Sequence, residues 1–464
     1  MADTRDEDLS KRSEWTSKAA FVLAAAASAV GLGNLWRFPY LAAKYGGGTF
    51  LLVYIVLLFT FGVSLLLLET AFGRKTGLSA ISAFKSYGKK YAFIGILASA
   101  VPFIITCYYC VIGGWVTKYA ASYLLGGASE IASDPATAFS SFITSPVESF
   151  AWAFIFVGAT VLIVALGVEK GIEKSNLVMM PLLLVIAVGI AIFTLAQPGA
   201  AQGAAYYLLP DFSKISPEIL IAALGQMFYS MSLAMGIMIT YGSYTKKSSS
   251  LTSSAVQVAG FDFSVSFLAG LMIIPAAFIG LGGGDAIAAK AGPSLMFITL
   301  PEVFAKMGSF GGAIGALFFI LVLFAALTSA ISLTETLVSI ICDAMRCTRR
   351  KAIVIVIVYF AVMVTFVNLG YNKLDFIQPL GAGSSILDFF DFLSNTVMMP
   401  IVAILTCIFV GWIIKPKEVI DEVRISSKFK LAKPWTIMIK YIAPVLIALI
   451  LITYTAAQFG LMTI

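Results

Sequence analysis

A short polar stretch, residues 28–39, interrupts the first long apolar run of this chain. It contains Gly31, Gly33, Asn34 and Arg37. A helix in a lipid bilayer must satisfy its backbone hydrogen bonds internally, so a break here leaves free amide and carbonyl groups that need another partner. A bound ligand is one candidate partner. The alternative is a packing seam, because small residues also let membrane helices approach each other closely.

The composition explains why this interruption matters. Of the 464 residues, 60% are hydrophobic and only 12% are charged, and the mean hydropathy is +0.96. These values exclude a soluble globular protein and indicate a polytopic membrane protein. Because a spanning helix needs about 20 apolar residues, we predict an all-α integral membrane protein with eleven transmembrane helices. The predicted cores are 17–40, 48–72, 92–124, 149–168, 175–196, 218–244, 254–281, 312–342, 351–369, 386–413 and 435–462.

The basic residues predict the orientation of the chain. Lysines and arginines cluster before span one and after spans two, six, eight and ten, whereas residues 126–148 contain none. The positive-inside rule then places the N-terminus in the cytoplasm and, for an odd number of spans, the C-terminus outside the cell or in the periplasm. We therefore predict a multi-pass protein of the inner (cytoplasmic) membrane. Topology accounts for these clusters better than nucleic-acid binding does.

Several kinds of chemistry are disfavoured by residue content. The five cysteines lie in or beside predicted spans, which is not a disulfide framework, and the Cys107–Cys110 spacing falls inside an apolar helix, where buried thiols are inert. The chain has no histidine, so the commonest metal ligand and general base is missing. With no recognisable nucleophile and base pair, we predict that the protein is not an enzyme.

A second polar interruption occurs in span six. Residues 225–236 place Gln226, Ser230 and Ser232 between two glycines in an apolar context. The two interruptions lie five spans apart, and an odd separation describes an inverted-topology repeat with a ligand site at the membrane midplane. Chance recurrence of glycine and serine is the alternative. We predict one domain, 1–464, in which repeat one covers about 12–196, repeat two about 218–413, and an extra helix about 435–462.

Other polar residues inside spans are also candidates for function. Asp262 in span seven and the Thr328-Ser329 pair in span eight offer the oxygen ligands that a hard cation such as Na⁺ prefers. The alternative for the pair is hydrogen bonding to carbonyls of its own helix. Glu69 near the end of span two is expected to face the free amides of span one, or else to be a solvated helix end beside Arg74.

Together these motifs resemble the neurotransmitter:sodium symporter family. Residues 29–39 followed by Gly46–Gly48 resemble its hallmark, and Gly225-Gln226 and residues 325–329 agree in order and spacing. The resemblance covers nearly the whole chain and is closest to the bacterial eleven-helix amino-acid transporters. It implies two five-helix inverted repeats with broken helices 1 and 6, plus one extra helix, working by alternating access. It also favours a hinge over a plain turn for the spacing from Gly171 to Pro181.

The resemblance implies a substrate site and two sodium sites, and hence two Na⁺ ions as cofactors. The first sodium site would use Ala29, Asn34, Ser230 and Asp262, completed by the substrate carboxylate. The second would use Ala27, Val30, Ala325, Thr328 and Ser329. The substrate would contact Ser28, Leu32, Gly33, Ile105, Tyr109, Tyr229, Ser230, Ser232, Met235, Ser329 and Leu333.

The resemblance also implies two gates. The outer gate would pair Arg37 with Asp391, with Asp388 one turn earlier as the alternative acid. The inner gate would pair Arg12 with Asp343, assisted by Trp15 and Tyr244.

Two departures from the family pattern bear on the substrate and the ions. Gly31 stands where monoamine carriers have an Asp, so a substrate with its own carboxylate is expected. Asp262 stands where the animal members have an Asn and bind chloride near Tyr54, Gln226, Ser230 and Ser266. A built-in carboxylate can replace that anion, which predicts chloride-independent transport.

The sequence therefore predicts sodium-coupled symport of a neutral, hydrophobic or aromatic L-amino acid into the cell. The expected partners are the amino acid, sodium ions and the lipid bilayer, without nucleic acid, and the expected assembly is a monomer or a weak homodimer. An ion channel or an amino-acid sensor built on the same bundle is the alternative. Paired inner and outer gates favour a carrier, which must close one side before it opens the other.

Overall fold

The computed structural model describes residues 13–281, 283 and 293–462. Within these ranges the chain forms helices and no β-strand, which confirms the all-α class. Nine of the described helices are long and apolar enough to cross a membrane, and a bent pair of helices makes a tenth candidate. The eleventh predicted span is span six. It consists of two helices, and each of them alone is too short to cross a membrane.

Thirteen helices, labelled in chain order, form the bundle. They are α1 (Lys18–Ala29), α2 (Gly33–Lys44), α3 (Gly48–Thr76), α4 (Lys89–Leu124), α5 (Pro146–Ala165), α6 (Val168–Leu195), α7 (Pro217–Ser230), α8 (Ile237–Ser243), α9 (Leu251–Leu281), α10 (Gly311–Met345), α11 (Arg349–Leu369), α12 (Ile386–Ile413) and α13 (Ala432–Gln458). Shorter connecting helices include Ala80–Lys85, Ala128–Ser133, Pro135–Thr144, Ala200–Leu208, Leu300–Lys306 and Pro416–Arg424.

The first predicted interruption is a break between α1 and α2. The two helices differ in direction by 55°, and Val30 leaves the helical conformation with φ −78° and ψ 109°. The break is buried, because Val30, Leu32 and Leu35 are at most 1% exposed. It is therefore enclosed by the bundle, as expected for irregular backbone at membrane depth, which is tolerated only where protein or a water-filled cavity surrounds it.

The second predicted interruption separates α7 from α8. Between these helices Ser232, Ala234 and Gly236 adopt positive φ values of 51°, 60° and 70°. A left-handed backbone costs roughly 1–2 kcal/mol for a residue with a Cβ atom, so surrounding contacts must hold the serine and the alanine in this conformation. The α1 helix packs against α9 and α10, and α8 packs against α3, so both breaks lie inside the bundle.

The outer helices present apolar side chains to the surroundings. Val178, Val185 and Ile192 on α6 and Val445 and Ile452 on α13 are each more than 60% exposed. In water such surfaces would be unusual for a monomer. In a bilayer they contact lipid, which agrees with the predicted membrane location.

The start of the fifth predicted span differs from expectation. Gly171 and Pro181 both lie within α6, and the turn before it occurs at Gly167, where φ is 90°. The turn alternative for Gly171 is therefore wrong. The charged residues among 169–174 interrupt the apolar run from which the span was predicted. They do not end the helix, so the helix begins earlier than the prediction.

Candidate functional site

The two breaks border one small cavity of about 40 Å³. All eleven residues predicted to contact substrate lie around it: Ser28, Leu32, Gly33, Ile105, Tyr109, Tyr229, Ser230, Ser232, Met235, Ser329 and Leu333. Ala29, Gly31, Asn34 and Ile237 complete its wall. A volume of this size holds only about three water molecules, so the lining residues pack closely around the cavity.

Gly31 and Gly33 allow the first break to approach its neighbours closely. A Cβ atom on Gly31 would lie 2.8 Å from the Ser329 Oγ atom and 3.2 Å from the Tyr109 hydroxyl oxygen. A Cβ atom on Gly33 would lie 2.7 Å from the Tyr229 ring. The Tyr109 hydroxyl is buried and has no hydrogen-bond partner among the described residues. A buried hydroxyl normally finds a partner, and a polar group of a ligand in the cavity can supply one.

A polar cluster around Asp262 lies beside the cavity. The carboxylate accepts hydrogen bonds from the Tyr54 hydroxyl at 2.6 Å, the Asn34 amide at 2.8 Å and the Ser230 hydroxyl. The Asn34 amide also donates to Ser266 at 2.8 Å, and its carbonyl oxygen accepts from the Gly31 amide at 2.9 Å. Asp262 is fully buried, and this set of donors offsets the cost of removing a carboxylate from water.

Ser329 lies among carbonyl groups of the first break. Its hydroxyl is 3.5 Å from the Ala27 carbonyl oxygen and 3.1 Å from that of Val30. The Thr328 hydroxyl is 3.1 Å from the Ala325 carbonyl oxygen in the same helix, and 2.9 Å from that of Phe324. The alternative of hydrogen bonding within the helix is thus also present, and both hydroxyl groups stay available as cation ligands through their remaining lone pairs.

Both clusters consist of carbonyl, hydroxyl, amide and carboxylate oxygens, which suit a hard cation. The described ranges contain no group of three or more His, Cys, Asp and Glu side chains arranged to hold a metal ion. The oxygen chemistry of the two clusters suits sodium.

The predicted outer-gate residues line a larger vestibule of about 310 Å³ outside the cavity. The Arg37 guanidinium lies 5.5 Å from the centre of the Tyr229 ring, and Asp391 accepts a hydrogen bond from Asn395 at 2.7 Å. No ion pair within 4.0 Å joins Arg37 to Asp391 in the described part of the chain. Asp388, the alternative acid, caps the start of α12, which leaves Asp391 as the stronger candidate.

Trp15, predicted to assist the inner gate, lies in the segment before α1 and packs against the end of α8. The Trp15 indole donates to the Tyr241 carbonyl at 3.0 Å, and the Trp15 amide donates to the Tyr244 carbonyl at 3.0 Å. Trp15 is 1% exposed. Asp343 accepts a hydrogen bond from a backbone amide, whereas Arg12, its predicted partner, lies outside the described residues.

Glu69 contacts a different break from the predicted one. Its Oε1 atom accepts the Ala234 amide hydrogen at 2.7 Å, so the expectation that it faces the amides of span one is wrong. A different hydrogen bond connects the two breaks: the Ser232 hydroxyl donates to the Ser28 carbonyl at 2.8 Å. A carboxylate inside an apolar span predicts a buried hydrogen-bond partner. The sequence does not show which of the two breaks supplies that partner.

Glu335, an acid inside α10, links the residue that follows α8 to the start of α11. It is fully buried, accepts the Tyr244 hydroxyl hydrogen at 2.9 Å and pairs with Arg349 at the start of α11. The sequence signal was again an acid in an apolar run.

The chain is similar to known proteins over nearly its whole length. The model of the sodium:neurotransmitter symporter family matches residues 12–126 and 144–462. The uncharacterized sodium-dependent transporter YhdH of Bacillus subtilis is 34% identical over 447 residues, which cover 94% of this chain and 96% of YhdH. A sodium-dependent transporter of Haemophilus influenzae is 33% identical over 463 residues, covering 96% of this chain and 98% of its own.

A more distant relative and a solved structure extend the comparison. The sodium- and chloride-dependent GABA transporter 2 of Rattus norvegicus is 28% identical over 490 residues, covering 95% of this chain and 79% of its own. The crystal structure of MhsT in complex with L-phenylalanine matches with a TM-score of 0.84 and 36% identity, covering 96% of this chain and all of MhsT.

These matches extend over nearly the whole chain, and the family consists of transporters rather than enzymes. The protein is a multi-pass, sodium-dependent membrane transporter. The chain belongs to the sodium:neurotransmitter symporter family.

Proposed function

We propose that the protein carries a neutral, hydrophobic or aromatic L-amino acid into the cell together with two sodium ions. The observation that supports this most is the cavity between the two breaks, where none of the described lining residues is charged. Ile105, Met235 and Leu333 offer apolar surface to a substrate side chain. MhsT, which binds L-phenylalanine, is 36% identical to this chain.

The substrate carboxylate is expected to bind at the first break. The amides of Leu32 and Gly33 lie where α2 begins, and a helix N-terminus favours a negative group. The buried Tyr109 hydroxyl is available as a further donor. Gly31 leaves no room for an acidic side chain, since its Cβ atom would already be 2.8 Å from Ser329. An amine without a carboxylate would thus have no counter-charge at this position.

The two sodium ions are assigned to the two oxygen clusters. The first would use Ala29, Asn34, Ser230 and Asp262 together with the substrate carboxylate, so that substrate and ion bind cooperatively. The second would use Ala27, Val30, Ala325, Thr328 and Ser329, which join the first break to α10. An ion at the second position would therefore stabilise one arrangement of these two elements, which is what coupling to transport requires.

The proposal also includes the organisation of the chain. Repeats at about 12–196 and 218–413 would move against each other, with the extra helix at about 435–462 outside them, and the N-terminus would lie in the cytoplasm. Movement of Trp15 would open the inner side while Arg37 and Asp391 approach each other and close the outer side.

A weak homodimer or a monomer is compatible with this cycle, because each chain carries a complete site.

Uptake by reconstituted vesicles tests the proposal. The purified protein is first screened against the twenty amino acids for sodium-dependent thermal stabilisation, because a ligand that binds the folded state raises its apparent stability. The best ligand, radiolabelled, should then accumulate in proteoliposomes only under an inward sodium gradient. Sodium current without substrate would indicate a channel, and binding without accumulation would indicate a sensor.

Chloride independence is a separate expectation. The Asp262 carboxylate already supplies a negative charge between Tyr54, Asn34 and Ser230. Uptake measured in sodium gluconate should therefore equal uptake in sodium chloride. A strict requirement for chloride would contradict this assignment of Asp262 while leaving sodium coupling intact.

A further inference from the structure

We propose that the ends of α12 and α13 form a binding site for the headgroup of an anionic phospholipid of the surrounding bilayer. The site is centred on Lys440 and the ring of Trp412. It lies beside the basic segment 415–433 and is separate from the transport cavity, so it does not depend on the proposed substrate.

Lys440 is an isolated charge inside a membrane helix. It is the only charged residue after Lys433 in the sequence. It lies eight residues after Ala432, where α13 begins, and thus about 12 Å along the helix at roughly 1.5 Å per residue. Within the described part of the chain, no carboxylate lies within 4.0 Å of its ammonium group. A charge at such a position needs a partner or access to the interface.

Two aromatic rings hold the Lys440 ammonium group in place. It lies 4.2 Å from the centre of the Trp412 ring and 5.5 Å from that of Tyr441. The Trp412 indole donates to the Lys440 carbonyl at 3.3 Å, and the two rings meet edge to face at 5.5 Å. Cation–π contacts orient the ammonium group without neutralising it. Lys440 is half-buried, and Trp412 and Tyr441 are 54% and 50% exposed, so the three side chains lie at the outer surface of the bundle.

The backbone of both helices builds this arrangement. Residues Phe409–Ile413 of α12 and Met438–Ile442 of α13 each form a wider π-helical turn. Gly411 faces Lys440 so closely that a Cβ atom on it would lie 3.1 Å from the Lys440 Cγ atom and 3.3 Å from its Cα atom. Wide turns of this kind often mark functional sites in helices. Here the turns and the glycine bring Trp412 and Lys440 together.

The neighbouring segment adds positive charge. Six exposed cations lie in the segment that connects α12 to the first turn of α13, Lys415, Lys417, Arg424, Lys428, Lys430 and Lys433, and none of them forms an ion pair in the described ranges. Of the three acids in this segment, Glu418 pairs with Lys75 and Glu422 with Arg74, and Asp421 is exposed, so the cations outnumber the acids. Clusters of four to eight basic residues next to a membrane helix are typical of anionic-lipid binding.

The positions of these residues favour a lipid over other partners. The positive-inside rule accounts for basic residues in a loop, but it does not require a lysine inside the helix that follows. Exposed apolar side chains border the cations, including Ile413, Ile425 and Leu431, and an interface of mixed cationic and apolar character matches a headgroup joined to acyl chains.

The test uses the full-length protein purified in a neutral detergent. Melting temperatures are measured with added dioleoyl-phosphatidylglycerol and with dioleoyl-phosphatidylcholine, and bound lipid is counted by native mass spectrometry. Phosphatidylglycerol should raise the melting temperature of the unmodified protein more than phosphatidylcholine does. Lys440→Gln should lower phosphatidylglycerol binding about fivefold, the factor expected for one lysine near the surface.

Lys373→Gln is the matched control, because Lys373 is an exposed and unpaired lysine between α11 and α12, at the other end of α12. It should retain the full response. An equal response to both lipids, or a full response by Lys440→Gln, would overturn the proposal. So would an equal effect of inorganic phosphate, or light scattering that shows a dimer for the unmodified protein and a monomer for Lys440→Gln. Sodium-dependent stabilisation by the amino acid, recorded on the same samples, separates failure of this site from failure of the transport proposal.

Discussion

Asp262 carries the main electrostatic argument at the scale of single residues. Its carboxylate is fully buried and accepts hydrogen bonds from Tyr54 and Asn34 at 2.6 and 2.8 Å, and from Ser230. Charge at this position can stabilise a nearby sodium ion, and the surrounding donors can equally hold an anion. The side chain thus connects sodium binding to the question of chloride.

Replacing Asp262 with Asn tests this connection. The substitution keeps the size and removes the charge, so we expect apparent sodium affinity in gluconate to fall about tenfold or more, with partial recovery in chloride. Sodium titrations of uptake in both salts measure this. Ser264→Ala is the control, because Ser264 lies on the same helix and bonds only its own helix at 2.7 Å. Unchanged sodium affinity in gluconate would refute the role of the charge.

Gly33 tests the size of the cavity. In Gly33→Ala the new methyl group would lie 2.7 Å from the Tyr229 ring, which must then move into the space that the substrate needs. We expect at least a tenfold loss of amino-acid affinity, since misplacement by about 1 Å can cost a hundredfold. Gly189→Ala in α6 has no atom within 4 Å of its new methyl group and should bind normally. Binding is measured by calorimetry, and equal affinities would contradict this.

At the scale of elements, the break between α7 and α8 needs outside support. Ser232 and Ala234 have positive φ, and the Ala234 amide is satisfied only through Glu69 at 2.7 Å. Glu69 belongs to α3, so one carboxylate joins the broken helix to an intact one. The break is therefore held by tertiary contacts rather than by its own sequence.

Removing this acceptor should weaken the fold. Glu69→Ala leaves a buried amide without a partner, which costs about 1–3 kcal/mol, whereas Glu69→Gln retains an acceptor oxygen and should lose less. Thermal unfolding in detergent, with and without sodium, compares the two variants. A melting temperature of Glu69→Ala equal to that of the unmodified protein would show that the Ala234 amide finds another partner.

At the scale of the whole molecule, an ion-pair network joins segments far apart in the chain. Arg74 at the end of α3 bonds the Glu422 carboxylate at 2.7 Å and the Ser249 carbonyl at 2.7 Å. Lys247 also pairs with Glu422 at 2.7 Å. The side chains of Arg74 and Glu422 are 0% and 4% exposed, so neither charge has access to water if its partner is lost.

Breaking this network should be costly. Glu422→Gln leaves Arg74 buried without a counter-charge, which costs about 3–5 kcal/mol. Glu418→Gln removes a pair with Lys75 in which Glu418 is 45% exposed, and surface pairs contribute only about 0–1 kcal/mol. Melting temperatures of the two variants should therefore differ clearly. Similar values would show that Arg74 gains solvent or another acceptor.

Much of the fold and the site was predictable for a physical reason. The hydrocarbon core of a bilayer offers no hydrogen-bond partners. The length of an apolar run therefore indicates a spanning helix, and a polar interruption in that run indicates a break in the helix. They located both breaks, and the resemblance assigned eleven residues that the structure places around one cavity. Their roles in binding stay a prediction. The start of α6 was missed because charged residues occupy its first turns.

The sequence by itself determined the membrane class, the approximate spans, the two breaks and the absence of an acidic side chain at Gly31, because each depends on residues that are neighbours in the chain. Only the tertiary structure decided that Glu69 meets Ala234, 165 residues away. The tertiary structure also decided that Arg37 and Asp391 line the same vestibule. It likewise decided that the Lys440 ammonium group lies over the ring of Trp412. These are contacts between distant segments, and they depend on how the helices pack.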